Sequence, residues 1–298
     1  MTTAKVALGK RLFADRRLSF NGTTSCLTCH RPELAFTDGK TRPVGATGDR
    51  HRRNAMSLMN SAYALQLGWS NPRTRSIERQ IRNVFYNTDP IELGWTGHRD
   101  GIVKRLAEDI GLSNEFDRVF GGGGADSITE ERITQALASY VRTLIAMDSA
   151  YDRWVYFDDP SGLSEAARRG MRLFFSPKAG CGSCHSGITF AGPVAIPGEP
   201  QAKGLYANTG LGGQLDQGLI EQTGQAKDSG RFRVVTLRNL SKTAPYMHDG
   251  RYPTLHDVID HYARLNPANG RDVLDPAIVQ FDPSPAQRDD LVAFLLVL

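Results

Sequence analysis

Apolar residues recur three and four positions apart along much of the chain, the period of an amphipathic helix. Thr254 precedes Leu255, Val258, Ile259 and Tyr262 on one face, a helix that the threonine can cap. Ser284-Pro285-Ala286-Gln287 supplies an N-cap, a first-turn proline and an N3 glutamine ahead of a stripe of Leu291, Phe294, Leu295 and Leu298. Ser164 caps a third helix that buries Ala167, Met171 and Phe174. Ser127-x-x-Glu130 resembles a capping box and opens a fourth, with Ile133, Leu137, Tyr140, Leu144 and Met147 on its inner face. Period-two alternation is scarce, and 231–237 is the one stretch that reads as a short strand. The pattern predicts a mainly α protein.

The pattern also repeats. Gly9-Lys10-Arg11-Leu12-Phe13 ends one amphipathic segment and leads into Cys26-x-x-Cys29-His30. Gly170-Met171-Arg172-Leu173-Phe174 ends another and leads into Cys181-x-x-Cys184-His185. One module is used twice. The turn-forming cluster Asp158-Asp159-Pro160-Ser161-Gly162 is the expected boundary, giving domains of 1–158 and 159–298. Gly121 to Gly124 reads as a flexible loop. The Gly- and Pro-rich stretch 191–218 is longer than most connections, so it lines a site, contacts a partner or is disordered.

Composition narrows the class. A chain of 298 residues is long enough for two cores. No apolar stretch nears the roughly 20 residues that span a bilayer, and 291–298 is far too short. The net charge of +4 is mild, and no basic stripe is interleaved with aromatics, which argues against nucleic acid as a partner. All four cysteines fall in the two Cys-x-x-Cys-His motifs, leaving none for a structural disulfide.

Two thiols three positions apart can each form a thioether to one porphyrin edge, with the adjacent histidine held under the ring as an iron ligand. Zinc sites and redox dithiols also use Cys-x-x-Cys. Two widely separated pairs in repeated contexts, each followed directly by histidine, fit c-type haem better. Two covalent haems are therefore expected, one on Cys26, Cys29 and His30 and one on Cys181, Cys184 and His185. Such attachment takes place outside the cytoplasm, so the expected location is the periplasm. Met1 to Lys10 has no apolar leader core, and the chain reads as a mature form whose leader has been removed. The far faces of the irons decide the function: two closed irons make an electron carrier, one open iron an enzyme. His51, His98, His248, His256 and His261 remain, each read singly as a surface or hydrogen-bonding residue. By its spacing alone Tyr262 is a packed core tyrosine, with His261 projecting to the side with Asp257.

The chain resembles the bacterial di-haem cytochrome c peroxidase and MauG superfamily over nearly its whole length. The resemblance rests on Arg17-Leu18-Ser19 and Asn21-Gly22-Thr23 before the first Cys-x-x-Cys-His, and on Arg53-Asn54-Ala55-Met56-Ser57-Leu58. It continues through Asp89-Pro90-Ile91-Glu92-Leu93-Gly94 and Leu237-Arg238-Asn239-Leu240 to Thr243-Ala244-Pro245-Tyr246-Met247-His248-Asp249-Gly250. Ala35-Phe36-Thr37-Asp38-Gly39 and Trp69-Ser70-Asn71-Pro72 look most like the MbnH-type di-haem enzymes, a branch that oxidises a tryptophan on a partner protein.

The resemblance implies two cytochrome c-like haem domains packed against each other with long loops. It makes the N-terminal haem the peroxide-reacting one and the C-terminal haem a store or relay of an oxidising equivalent. Tyr262 falls where ordinary members place a methionine ligand and MauG-like members a tyrosine, which reverses the core reading. A phenolate ligand donates charge to iron and lowers its potential. Met247 is the competing candidate, in a loop to which the family gives another role. Where ordinary members carry a blocking histidine this chain has Ala46, with His51 out of register. The iron on His30 is thus expected to be open without reductive activation. Glu92 matches the distal glutamate and Gln80 the distal glutamine, although the spacing from Trp69 differs by a few residues. A distal carboxylate takes a proton from one peroxide oxygen and returns it to the departing one. Without its surrounding motif Glu92 would read as a solvated loop residue. Trp69 matches the tryptophan that exchanges electrons between the haems, with Trp95 and Trp154 as rivals. Asn54, Thr243 and Pro245 match a calcium site between the domains, where amide and backbone oxygens suit a hard cation; Asn54 could equally cap a turn.

The expectation is a periplasmic enzyme that uses hydrogen peroxide at an open haem to oxidise a side chain, tryptophan foremost, of a partner protein. The first alternative is a conventional peroxidase fed by a small redox protein. The alternative from another class is a non-catalytic di-haem electron carrier with both irons closed.

Overall fold

Serine and threonine caps set the helix starts in the computed structural model, which describes residues 1–122, 127–196, 198, 202–212, 216–265 and 274–298. In chain order the helices are α1 (Thr3–Phe13), α2 (Cys26–Cys29), α3 (Ile77–Tyr86), α4 (Arg99–Ala107), α5 (Ile110–Phe120), α6 (Glu130–Val141), α7 (Ala150–Tyr156), α8 (Glu165–Phe174), α9 (Ile220–Thr223), α10 (Leu255–Arg264) and α11 (Pro285–Leu295). Ser164 caps α8, and Thr254 and Ser284 cap α10 and α11 within full capping boxes, as their sequences predict.

Three expectations shift. Thr129, not Ser127, caps α6, because Ser127 is buried and its hydroxyl turns to the Ser113 carbonyl. The helix then stops at Val141, where Thr143 and Leu144 donate to the Tyr140 and Val141 carbonyls in tighter turns, and the Leu144 carbonyl accepts from the amide of Asn60. Leu144 is buried beyond the helix rather than on its stripe. Of 231–237, only Phe232–Arg233 forms a strand (β2), paired antiparallel with Tyr206–Ala207 (β1); the Thr236 hydroxyl turns instead to the Thr189 carbonyl. Gly121 follows α5 with a positive φ, while Gly123 and Gly124 lie outside the described residues. The stretch 191–218 carries β1, and 197, 199–201 and 213–215 lie outside the described residues.

The chain divides into two compact units, Met1–Ala62 with Thr74–Ile145, and Tyr63–Arg73 with Ala146–Leu298. The division thus falls ahead of the turn cluster at 158–162. Residues of α7 pack in the second unit, Tyr151 edge-on to Phe190 and Asp152 on Arg238. Residues 63–73 join that unit because Arg233 donates from its backbone to the Trp69 carbonyl and from Nε to that of Gly68.

Each unit is the same scaffold. In unit 1, α1 lies against α6 at Gly9, where a Cβ would stand 1.9 Å from the Ala136 carbonyl oxygen. In unit 2, α8 meets α11 at Gly170, where a Cβ would stand 1.8 Å from the Asp290 carbonyl oxygen. Phe13 is edge-on to Tyr140 and Phe36, and Phe174 is edge-on to Phe294 and Phe190. Asn60 and Asn239, both with φ near 60°, donate backbone N–H to Leu144 and Leu298. Burying one such aromatic side chain stabilises by about 1.5–3 kcal/mol. An exposed ion pair such as Arg153–Asp148 is screened by solvent and adds little, so the cores hold the units.

Candidate functional site

Each Cys-x-x-Cys-His motif occupies one tight turn. α2 starts where Thr28 Oγ1 accepts from the Ser25 amide, and the His30 amide donates to the Cys26 carbonyl at 2.9 Å. The His185 amide reaches the Cys181 carbonyl at the same 2.9 Å. All four cysteines are free. Burial pushes Cys26 and Cys29 up to about 12 and Cys181 up to about 11, so these three stay protonated thiols.

The two histidines are oriented by the same device. His30 Nδ1 donates to the Phe36 carbonyl at 2.9 Å, and His185 Nδ1 to the Phe190 carbonyl at 2.8 Å. Both phenylalanines adopt positive φ, 61° and 54°, which turns their carbonyls back onto the rings. With Nδ1 carrying the proton, the lone pair sits on Nε2, the nitrogen offered to iron. Burial lowers both histidine pKa values, opposed in part by these carbonyl bonds, and a neutral imidazole is the ligating form. The thiols and imidazoles therefore fit two c-type haems.

In unit 1, a cavity of about 400 Å³ flanks Cys29 and is lined by Thr24, Thr28, Asp38, Lys40 and Ala46. Asp38 Oδ2 is buried there without a hydrogen bond. Ala46 lines the cavity, and its amide donates to the Glu92 carbonyl at 2.9 Å. Burial pushes the Glu92 carboxyl up to about 7, opposed by Asn87 Nδ2, which donates to Oε1 at 3.0 Å. The Glu92 charge is felt by both Cys26 and Cys29, which places it at the motif. Gln80, Asn83 and Asn87 follow at helical spacings on α3 and its C-cap, with Asn83 Nδ2 donating to Gln80 Oε1 at 3.5 Å and to Thr74 Oγ1 at 2.9 Å. The sequence reading missed Asn87, although the amide spacing ahead of the Glu92 motif was visible. His51 packs near Gly45, its pKa lowered by burial against the pull of Asp38. His98 precedes α4 and stacks on Phe20.

In unit 2, α10 carries Tyr262 beside the second motif. Burial raises its phenol well above the ordinary range, and the Cys181 and Cys184 thiols raise it further. Its neighbour His261 is engaged at both nitrogens: Nε2 donates to the Thr209 carbonyl and Nδ1 accepts from the Tyr252 hydroxyl. His256 is exposed and meets Asp289. Met247 lies in a turn closed by the Tyr246 amide on the Tyr252 carbonyl, next to buried His248. Trp69 is edge-on to His248 with centroids 6.3 Å apart, and His248 stacks on Phe232 at 3.6 Å. Trp95 is core: it is fully buried, stacks on Phe85 at 4.1 Å and donates to the Leu18 carbonyl. Trp154 is half-buried under the Arg168 guanidinium. Of the calcium candidates, Asn54 is in unit 1, where its amide donates to the Lys40 and Thr41 carbonyls, and Thr243 and Pro245 are in unit 2.

The sequence profile of the di-haem cytochrome c peroxidases matches residues 3–159. The chain is 34% identical over 300 residues to the methylamine utilization protein MauG of Methylorubrum extorquens, spanning 100% of this chain and 79% of that protein. It is also 34% identical over 322 residues to a cytochrome-c peroxidase of Denitromonas iodatirespirans, spanning 100% and 82%. The crystal structure of a MauG-like protein associated with microbial copper homeostasis superposes with a TM-score of 0.93 at 35% identity, covering 100% of this chain and 90% of that one.

Proposed function

The chain belongs to the di-haem cytochrome c peroxidase family and is a peroxidase-type oxidoreductase, and on that footing we propose that it uses hydrogen peroxide in the periplasm to oxidise a side chain, tryptophan foremost, of a partner protein. Bound at the two motifs, the haems supply an iron that reacts with peroxide and a second iron that holds and relays an oxidising equivalent. Equal identity to a MauG protein and to a cytochrome-c peroxidase does not separate this reading from that of a conventional peroxidase. The observation that carries it is Tyr262, which α10 presents at Cys181 and Cys184 while His261 is engaged elsewhere.

In this reading His30 and His185 would each hold an iron through Nε2, and Tyr262 would be the further protein ligand of the haem in unit 2. Ala46, which lines the cavity beside the first motif, offers iron no ligand from the position where ordinary members carry a histidine. Glu92 takes a proton from incoming peroxide and returns it to the departing oxygen, Asn87 holds its Oε1, and Gln80 extends the amide row. Trp69, braced on His248, is the proposed electron relay.

Electron paramagnetic resonance of the resting ferric protein tests the assignment. One high-spin and one low-spin iron are expected, with peroxide consumed without prior reduction. In Tyr262→Met the low-spin signal should change and the yield of oxidised partner fall. Two low-spin irons, or a mutant matching its parent in spectrum and yield, would sink the reading.

A further inference from the structure

The two histidine loops are built alike but held unequally. In unit 1, Ser57 Oγ donates to the Ala35 carbonyl at 2.6 Å and His30 Nδ1 to that of Phe36, while the preceding carbonyl, Leu34, is bonded by Thr37 from within the loop. In unit 2, three successive carbonyls are gripped from outside that run. Arg238 Nε donates to Ile188 at 2.6 Å, Thr236 Oγ1 to Thr189 at 2.6 Å, and His185 Nδ1 to Phe190 at 2.8 Å. Arg238 is itself clamped by Asp152 through two bonds of 2.6 and 2.8 Å, with side chains 2% and 3% exposed, and its guanidinium lies 5.6 Å over the Phe190 ring. Asp152 is tied in turn to the amide and hydroxyl of Ser149.

The scaffold repeat identifies the missing counterpart. The Met59 amide donates to Ser57 Oγ as the Arg238 amide donates to Thr236 Oγ1, so Met59 holds the place of Arg238 in unit 1. A thioether has no N–H to give. We infer that the Asp152–Arg238 pair is a positioning device for His185 alone, tying its loop to α7 and setting the ligand strength and potential of the haem it holds. The inference rests on the proposed reading that His185 ligates the charge-holding haem. The Nδ1–H···O=C bond governs how strongly an imidazole donates to its metal, and a loop gripped at three carbonyls keeps that bond short. Because the pair is bidentate and neutral as a whole, it supplies rigidity without adding net charge behind the ring.

The test uses the two-haem holoprotein. Arg238→Met combined with Asp152→Leu replaces a buried ion pair by apolar groups, a change that folded proteins often tolerate. Asp152→Asn keeps the hydrogen-bonding shape but leaves the guanidinium unbalanced. Potentials of both haems are read by spectroelectrochemistry, and the irons by paramagnetic resonance. The double variant should broaden or shift the low-spin signal and raise the potential of the Cys181–Cys184 haem, leaving the Cys26–Cys29 haem unchanged. Asp152→Asn should raise the same potential, and Thr236→Val, which removes one loop bond without changing charge, should shift the same low-spin signal and decides the matter if the double variant does not fold. Unchanged potentials and spectra at both haems, even with a lowered melting temperature, would make the pair a structural brace and overturn the inference. A parent with two closed irons would refute the proposed function, while the variants would still decide what sets the second potential.

Discussion

At Glu92, burial and one hydrogen bond oppose each other. Burial disfavours the carboxylate and the Asn87 amide favours it; burial prevails, and the pKa stands at about 7. The proton-accepting form therefore grows as pH rises through about 7, and the reaction with peroxide should accelerate over the same window. Glu92→Gln should slow that step by about 10²–10⁴ and abolish the pH limb, as read by stopped flow. Asn87→Ala should move the limb to higher pH. For stability the sign is opposite. An acid whose folded pKa is raised contributes stability below its ordinary value, lost as pH climbs to about 7. Glu92 was legible from its motif. Asn87 stands at a visible amide spacing, but its bond to Glu92 crosses a turn that residue type does not announce.

Between elements, two glycines decide how closely helices pack. Alanine is the better helix former by about 1 kcal/mol, which by propensity alone would favour Gly9→Ala and Gly170→Ala. A Cβ at 1.9 or 1.8 Å from a backbone carbonyl oxygen is impossible without parting the helices, and overpacking of that kind costs about 1–3 kcal/mol. Both variants should therefore melt at lower temperature than the parent despite improved propensity, and a rise in either melting temperature would contradict the close-packed crossing. The repeated Gly-x-x-Leu-Phe marked a duplicated module in the sequence, but the helix crossings at its glycines came only with the fold. The end of α6 was not visible, since the periodicity runs on past Val141 while the Asn60 amide, remote in the chain, donates to the Leu144 carbonyl beyond the helix.

For the molecule as a whole, each unit carries its own aromatic core and its own Cys-x-x-Cys-His turn. Removing both thiols of one unit should then leave the other loaded. Cys181→Ala with Cys184→Ala is expected to retain one covalent haem per chain by pyridine haemochrome assay, with the high-spin signal of the other motif intact. A chain that binds no haem would show that loading of the two units is coupled.

Cap residues, the two attachment motifs and the duplicated module could be read along the chain because each depends on side chains within a few positions of one another. The finer division into units could not, since residues 63–73 follow Arg233 into the second unit through bonds spanning more than 160 residues. The same holds for the asymmetry between the histidine loops. Arg238 and Asp152 are 86 residues apart, and what makes them a pair is that both lose their water in the same buried place. Spacing records which groups are neighbours along a backbone. Desolvation, which lifts Glu92 and locks Arg238 to Asp152, acts on whichever groups the folded chain brings together.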